Sequence, residues 1–147
     1  MGLFSMLEIS GSALTAERQR AEIVAANMAN SNTTRTAEGG PYRRKEVVFA
    51  SSRVSPFQLA MNNVGGLPGR VPTVRISRVI NDPSPAQMRY EPGHPDANEQ
   101  GYVAYPSINP IQEMVDLMGA TRAYQLNASA VNASKQLLQS ALDILRG

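Results

Sequence analysis

The chain has 147 residues, of which 42% are apolar and 5% aromatic, and it contains no cysteine. Its length suits one ordinary domain, and the lack of cysteine excludes disulfides and cysteine-ligated zinc. A formal charge of only +2, with basic residues scattered along the chain, argues against a nucleic-acid-binding protein.

The start of the chain gives no sign of secretion through a cleaved signal. Residues 1–8, Met-Gly-Leu-Phe-Ser-Met-Leu-Glu, lack a basic segment, and no long apolar run with a small-residue cleavage site follows. No stretch approaches the roughly 18 apolar residues that a membrane span requires. The sequence therefore predicts neither a cleaved secretory signal nor a membrane-spanning segment.

The first thirty residues have the apolar period of a helix. Leu7, Leu14, Ala21 and Met28 recur every seven residues and form one stripe. A run of Asn, Ser and Thr begins at Asn30, and these side chains compete for backbone hydrogen bonds, while Asn also tolerates the left-handed conformation. We expect the helix to end near Asn30.

The middle of the chain has a different composition, because it holds all ten prolines and most of the glycines. Long helices are incompatible with this composition, whereas short strands and turns fit it. Residues 62–69 are typical of a flexible loop, and residues 57–72 carry no pattern that we can interpret. Alternating or β-prone residues predict four strands: Lys45 to Ser51, Val74 to Val79, Met88 to Tyr90 and Gly101 to Tyr105.

A second long helix is predicted from Pro110 to Arg146. Asn109 is a suitable cap, and proline is favoured at the first helical position. A repeat of 3.5 residues places ten positions on one seam, eight of them apolar. The seam consists of Met114, Leu117, Thr121, Tyr124, Ala128, Val131, Lys135, Leu138, Leu142 and Leu145.

These elements predict an α+β protein in which two long terminal helices pair as an antiparallel, coiled-coil-like hairpin around a small β-rich insert. The predicted division is a helical segment at 1–35, the insert at 36–109 and a helical segment at 110–147. A pair of ordinary core helices in a monomer is the alternative interpretation, although helices in small domains usually stop sooner.

No group of residues in the sequence has the pattern of a catalytic site. A metal site or a serine triad would need His94, completed by Asp82, Glu91, Asp96 or Glu99. Prolines flank His94 on both sides, so we interpret it as a residue of a rigid turn. We predict no catalytic residues, no cofactor and no metal, and we interpret the basic cluster at 43–45 as a solvated loop.

Several segments resemble the flagellar basal-body rod protein family, and in particular its proximal-rod FlgC type. Residues 26–34, Ala-Asn-Met-Ala-Asn-Ser-Asn-Thr-Thr, are similar to the signature that ends the N-terminal helix of rod proteins, with Met28 in place of the usual Leu. Residues 35–45, 90–97, 101–106, 109–118 and 121–125 resemble the FlgC type in the same order. The resemblance covers nearly the whole chain.

The resemblance implies a non-enzymatic structural subunit of the rod that crosses the periplasm. Its expected partners are other flagellar rod proteins, copies of itself and the flagellar type III export apparatus, which would export it without cleavage. We also expect Asn27, Asn30, Asn127 and Asn132 to form hydrogen bonds between helices. The predicted assembly interface consists of Leu7, Leu14, Ala21, Asn27, Met28, Asn30, Met114, Leu117, Tyr124, Val131, Leu138 and Leu142.

A small soluble module that binds a partner or ligand through the central insert remains the alternative. The size and compactness of the purified chain distinguish the two, because a subunit that depends on neighbours should have loose termini when it is alone.

Overall fold

The structure, a computed structural model, describes residues 3–52 and 71–146. Its first element is α1, a helix of 27 residues from Leu3–Ala29. The predicted end near Asn30 is confirmed, but its physical cause differs from the expected one. In the described residues only glycines have positive φ, so Asn30 is not left-handed. Its side-chain amide instead donates to the Ala26 carbonyl at 2.8 Å and accepts from the Thr33 hydroxyl at 3.1 Å.

The second helix, α2, runs Pro110–Arg146 over 37 residues, as predicted. Asn109 caps it, because its side-chain oxygen accepts the Ile111 N–H at 3.0 Å. Its carbonyl also accepts the first helical bond, from Glu113 N at 3.1 Å. Pro110 has no N–H to lose at this position, so the cap and the proline together fix where the helix begins.

The four predicted strands are all present among the described residues: β1 Lys45–Ser51, β2 Val74–Asn81, β3 Gln87–Tyr90 and β4 Tyr102–Tyr105. β1 pairs with β2, and β3 pairs with β4, in two sheets of two strands each. The loop predicted at 62–69 lies outside the described residues, as does 57–72 apart from its last two positions.

The β3–β4 pair is an antiparallel hairpin whose register places Met88 opposite Ala104 and Tyr90 opposite Tyr102. Its connection contains successive turns, which include bonds from His94 N to the Glu91 carbonyl and from Gly101 N to the Asn98 carbonyl. The two faces of the hairpin differ, because Val103 and Tyr105 of β4 are buried while Tyr102 is exposed.

Gly101 closes this connection with a left-handed backbone at φ +82°, and a Cβ there would lie 2.9 Å from Tyr90 Cε2. We expect Gly101→Ala to lower the free energy of unfolding by about 1–3 kcal/mol, because strain and a steric contact add together. Gly93→Ala is the matched control, since nothing lies within 4 Å of its Cβ position. Urea unfolding of both variants measures the difference, and equal stability of the two would contradict this account.

The chain divides into two compact units. The first contains Met1–Gln19, Phe49–Ser77 and Thr121–Gly147. Its most buried described residues are small: Ser10, Ala16 and Ser134. Such side chains bury little apolar area, and polar contacts supplement it. Ser12 Oγ accepts the Val74 N–H at 3.2 Å, and the hydroxyls of Ser52 and Thr73 are 2.7 Å apart.

The second unit contains Arg20–Val48 and Arg78–Ala120. Its buried apolar residues are Val24, Val103, Tyr105, Ile108 and Ala120. Two polar residues, Asn27 and Glu113, are buried equally deeply in this unit. The predicted α+β class, with two terminal helices and a small β region between them, is confirmed. Pairing of the helices as a coiled coil stays a prediction.

Candidate functional site

The most enclosed polar side chain of the second unit is Asn27, which is 0% exposed. Its amide nitrogen donates to the Lys45 carbonyl at 2.9 Å and to Glu113 Oε2 at 3.0 Å. Its amide oxygen accepts the Lys45 N–H at 2.9 Å and the Tyr42 hydroxyl at 3.2 Å. All four hydrogen-bonding positions of the amide are therefore used. One side chain thus links α1, the start of β1 and α2.

Arg44 forms the second half of this polar centre. Its Nε donates to Glu113 Oε1 at 2.6 Å, and Glu46 Oε1 accepts from its Nη1. Asp82 Oδ2 lies 4.0 Å from Nη1, and Asp116 Oδ2 lies 3.8 Å from Nη2. One guanidinium thus faces four carboxylates, and it is only 19% exposed. Removing that cation would leave the four acids to repel one another.

Glu113 joins the two halves, because one of its oxygens accepts from Asn27 and the other from Arg44. Its side chain is 1% exposed. Burial alone would lower the pKa of Arg44, but its hydrogen bonds and charge contacts with Glu113 and Glu46 raise that pKa above the usual value. Burial, followed by the charge of Glu113, raises the pKa of Tyr42. Both groups therefore keep the protons that they donate.

A further contact joins the two helices within the second unit. Arg20 Nη2 of α1 lies 3.7 Å from Asp116 Oδ1 of α2, and both side chains are about one third exposed. An ion pair in that environment contributes little by itself, typically about 0–1 kcal/mol. Its value lies in position, because it marks a second place, besides Asn27, at which α1 and α2 touch.

The first turns of α2 have charge inside and apolar side chains outside. The inward side carries the buried Glu113 and Ala120. Residues at spacings of three and four share one side of a helix, and the opposite side of α2 has four such apolar residues, each 54–74% exposed. These four define the helix face: Ile111, Met114, Val115 and Met118.

The rest of α2, which belongs to the first unit, also exposes large apolar side chains. Among the described residues of this part, Tyr124, Leu126, Leu137, Leu142 and Ile144 are all exposed. The helical period places Tyr124 and Leu142 on one side of α2 and Leu126, Leu137 and Ile144 on the opposite side, so these residues do not form one continuous apolar face.

Three of the four acids considered for chemistry, Asp82, Glu91 and Asp96, have structural partners. Tyr105 OH donates to Glu91 Oε2 at 2.9 Å, and Thr34 Oγ1 donates to Asp96 Oδ2 at 2.8 Å. Hydrogen bonds from Ser84, and then the charge of Arg44, lower the pKa of Asp82. Within residues 3–52 and 71–146, no three histidine or acidic side chains are grouped to hold a metal ion.

His94 occupies the predicted rigid turn. Its Nδ1 accepts the Asp96 N–H at 3.1 Å, and its ring meets the Tyr105 ring edge-on with centroids 6.3 Å apart. The imidazole therefore holds its own loop.

We expect His94→Ala to cost about 1 kcal/mol of stability, which is typical of one hydrogen bond, and to leave assembly and motility close to normal. Thermal unfolding and swimming assays measure these two effects. Stoichiometric metal bound by the native chain and lost in the variant would contradict this interpretation.

Two family models match the chain. Residues 7–35 match the model described as flagella basal body rod protein, and residues 99–144 match flagellar basal body rod FlgEFG protein C-terminal. Flagellar basal-body rod protein FlgC of Bacillus subtilis is 40% identical and aligns over 98% of this chain and 99% of its own length. FlgC of Borreliella burgdorferi is 38% identical over the full length of both chains, and FlgC of Yersinia enterocolitica is 37% identical over 98% of each.

This chain belongs to the FlgC family of flagellar basal-body rod proteins. The family predicted from residues 26–45 and the later segments is thereby confirmed. No helix in the part of this rod protein that the structure describes is both long and apolar enough to cross a membrane.

The predicted interface residues of this rod protein differ in exposure, and their role in assembly stays a prediction. Asn27 is enclosed within the subunit. Those that are half-buried are Leu7, Leu14, Ala21, Met28, Asn30, Leu117, Val131 and Leu138. Those that are exposed are Met114, Tyr124 and Leu142.

The expectation that four asparagines bond between helices holds within the subunit for Asn27. For Asn30 and Asn127 it stays a prediction, and their amides donate within the described residues to carbonyls four residues earlier in their own helices. Asn132 is exposed.

The interpretation of residues 43–45 as a solvated loop is wrong for Arg44, because burial against Glu113 outweighs the polar character of the segment. The signal that reveals this pair is Glu113 itself. It lies on the same side of α2 as Leu117 and Ala120, where an acid needs a buried partner.

Proposed function

We propose that this member of the FlgC family is a structural subunit of the proximal rod, which assembles with copies of itself and with other rod proteins into the helical drive shaft of the flagellum. Family membership supports the structural role in the basal-body rod. The observation that carries assembly is the helix face, where four large apolar side chains of α2 are more than half exposed. A helical assembly would cover such a surface by contacts between unlike patches.

The helices of the subunit form an antiparallel hairpin in this proposal. Two cross-helix contacts support it within the second unit. Arg20 of α1 meets Asp116, and Asn27, seven residues later in α1, meets Glu113, which comes earlier in α2. The residue number of the contact therefore rises in α1 while it falls in α2, which is the pattern of two antiparallel helices. The four-bond amide of Asn27 would fix their register, as a buried asparagine does in coiled coils.

The exposure of each predicted interface residue indicates whether it contacts its own subunit or a neighbouring one. The half-buried stripe residues, such as Leu14 and Leu138, pack partly within the subunit and partly against neighbours. The seam residues Met114, Tyr124 and Leu142, which are 42–55% exposed, offer a larger part of their surface to neighbours. Asn27 acts indirectly, by holding the hairpin to the start of β1. The segments 1–35 and 110–147 would supply the assembly helices, and 36–109 the connecting insert.

The rod that crosses the periplasm is the proposed location, reached through the flagellar type III apparatus without cleavage. Family membership supports the basal body as the site. A non-enzymatic role agrees with the structural partners found for Glu91, Asp96 and His94.

Deletion of the gene tests the function directly. We expect loss of rods and of motility with normal growth, measured by electron microscopy of basal bodies and by swimming. Intact rods in the deletion strain would contradict the proposal and favour a binding module that uses the insert. Purified protein that is compact, with both termini protected from protease at high dilution, would favour the same alternative.

The seam of α2 has its own test. We expect Leu142→Asp to abolish rods, because desolvating a carboxylate at a subunit contact costs several kcal/mol, while the exposed position spares the folded subunit. The matched control is Gln139→Asp, which places the same charge at an exposed position outside the seam. Rods are counted by electron microscopy and the subunit fold is checked by circular dichroism. Normal rods with Leu142→Asp would remove this residue from the interface.

A further inference from the structure

The β3–β4 hairpin presents a second apolar surface in the same unit as the helix face. Residues that are directly opposite or two apart share one side of a sheet. The register therefore places Met88, Tyr90, Tyr102 and Ala104 on one side, here called the tyrosine face. Its three large side chains are 40–65% exposed. The rings of Tyr90 and Tyr102 meet edge-on with centroids 5.3 Å apart, so each ring helps to hold the other in position on this surface.

The other side of the hairpin explains why this face points outward. Val103 and Tyr105 project to the opposite side, where both are buried. Arg89 covers the Tyr105 ring at 4.5 Å from its centroid. The hairpin thus buries one side against its own unit, whereas the three large side chains of the tyrosine face are only partly covered by the described residues.

The helix face and the tyrosine face have complementary chemistry. Interfaces between proteins are enriched in Tyr and Met, and a thioether favours the edge of an aromatic ring. Met114 and Met118 supply thioethers on one face, and Tyr90 and Tyr102 supply rings on the other. A membrane surface is a poorer occupant for the helix face, because residues 110–121 contain no Lys or Arg to attract anionic lipid.

The contact between the helix face and the tyrosine face is small, so the two subunits would need additional contacts elsewhere to stay together. Contact of the helix face with the tyrosine face would involve only four residues from each subunit, far fewer than the roughly 20–30 residues a side of stable complexes. Such a contact would not hold two free subunits together. It would persist where additional contacts bring the same two faces together repeatedly, as in a helical array of one chain.

We propose that the helix face of one subunit docks on the tyrosine face of a second copy of this chain, as a head-to-tail contact that repeats along the assembly. This inference rests on the proposed rod function and names the partner for one part of the assembly surface. A head-to-tail contact leaves one free face of each kind at the ends of a row, so it can propagate.

Disulfide cross-linking tests the contact cleanly, because the native chain contains no cysteine. Val115→Cys and Tyr90→Cys are expressed as separate chains in one deletion strain, and basal bodies are oxidised with copper phenanthroline. We expect a dimer of twice 15.9 kDa only when both variants are present. Arg43→Cys replaces Tyr90→Cys as the control, since it is exposed but lies on neither face. The pair of Met118→Cys with Met88→Cys repeats the test if either first variant fails to build rods.

Each outcome separates this contact from the rod function. Dimers from Val115→Cys alone would show a symmetric contact between two helix faces and overturn the proposal. Rods without any mixed dimer from either pair would overturn it as well, while leaving the rod function intact. Cross-links from Val115→Cys to a different protein would assign the helix face to another partner. Only intact rods in the deletion strain would overturn the rod function itself.

Discussion

Replacing Asn27 by alanine is expected to destabilise the subunit by about 3 kcal/mol, more than a typical substitution. The change removes four hydrogen bonds and leaves the Lys45 backbone groups and one Glu113 oxygen without their partner in a closed site. Each buried group left unsatisfied costs about 1–3 kcal/mol, and partial access of water reduces the sum. Urea unfolding followed by circular dichroism measures the loss.

Asn127→Ala is the matched control for Asn27→Ala. Its amide donates to the Ala123 carbonyl of its own helix. A carbonyl inside a helix also accepts the backbone N–H four residues later, so it keeps a partner when the side chain is removed. We expect a loss of about 0.5–1.5 kcal/mol, which is typical of one hydrogen bond and smaller than the loss for Asn27→Ala. Equal effects of the two substitutions would show that Asn27 does not link the elements.

Loss of the Arg44 cation is expected to have the other large effect. Arg44→Met leaves Glu113 buried without its charge partner, and removing one member of a buried ion pair costs about 3–5 kcal/mol. Arg43→Met, at the adjacent exposed position, controls for the general loss of one positive charge and should change stability by less than about 0.5 kcal/mol.

The double substitution Arg44→Met with Glu113→Leu separates pairing from burial. Replacing both members of a buried pair by apolar residues of similar size is often nearly neutral, so the double variant should lose less than the sum of the single losses. Asn27 still loses one acceptor in it. Strictly additive losses in urea unfolding would mean that Arg44 and Glu113 do not act as a pair.

The periodic parts of the fold were predictable from the sequence because local rules decide them. Seven-residue spacing located α1 and α2, and Asn109 followed by Pro110 fixed the start of α2 to the residue. Alternation and turn residues located all four strands. In each case the signal lies within a few neighbouring residues.

The polar centre was only partly predictable, because its partners are far apart in the chain. Asn27 and Glu113 are separated by 86 residues, and Arg44 and Glu113 by 69. A basic cluster in a loop gives no local sign that one of its members is enclosed. Met114 is half exposed and Asn27 is fully buried. Both outcomes depend on which side of each helix is covered by the rest of the subunit, and the local sequence does not show this.

The enclosed Arg44–Glu113 contact has a consequence for the response to ionic strength. Mobile ions screen charges that they can surround, and a carboxylate that is 1% exposed gives them little access. Salt that separates surface ion pairs should therefore leave this contact in place. The exposed apolar faces respond in the opposite sense, because strongly hydrated salts such as sulfate favour their burial. An assembly whose subunits are held internally by a buried ion pair, and whose contacts between subunits are apolar, would stay assembled across large changes in the salinity of its surroundings.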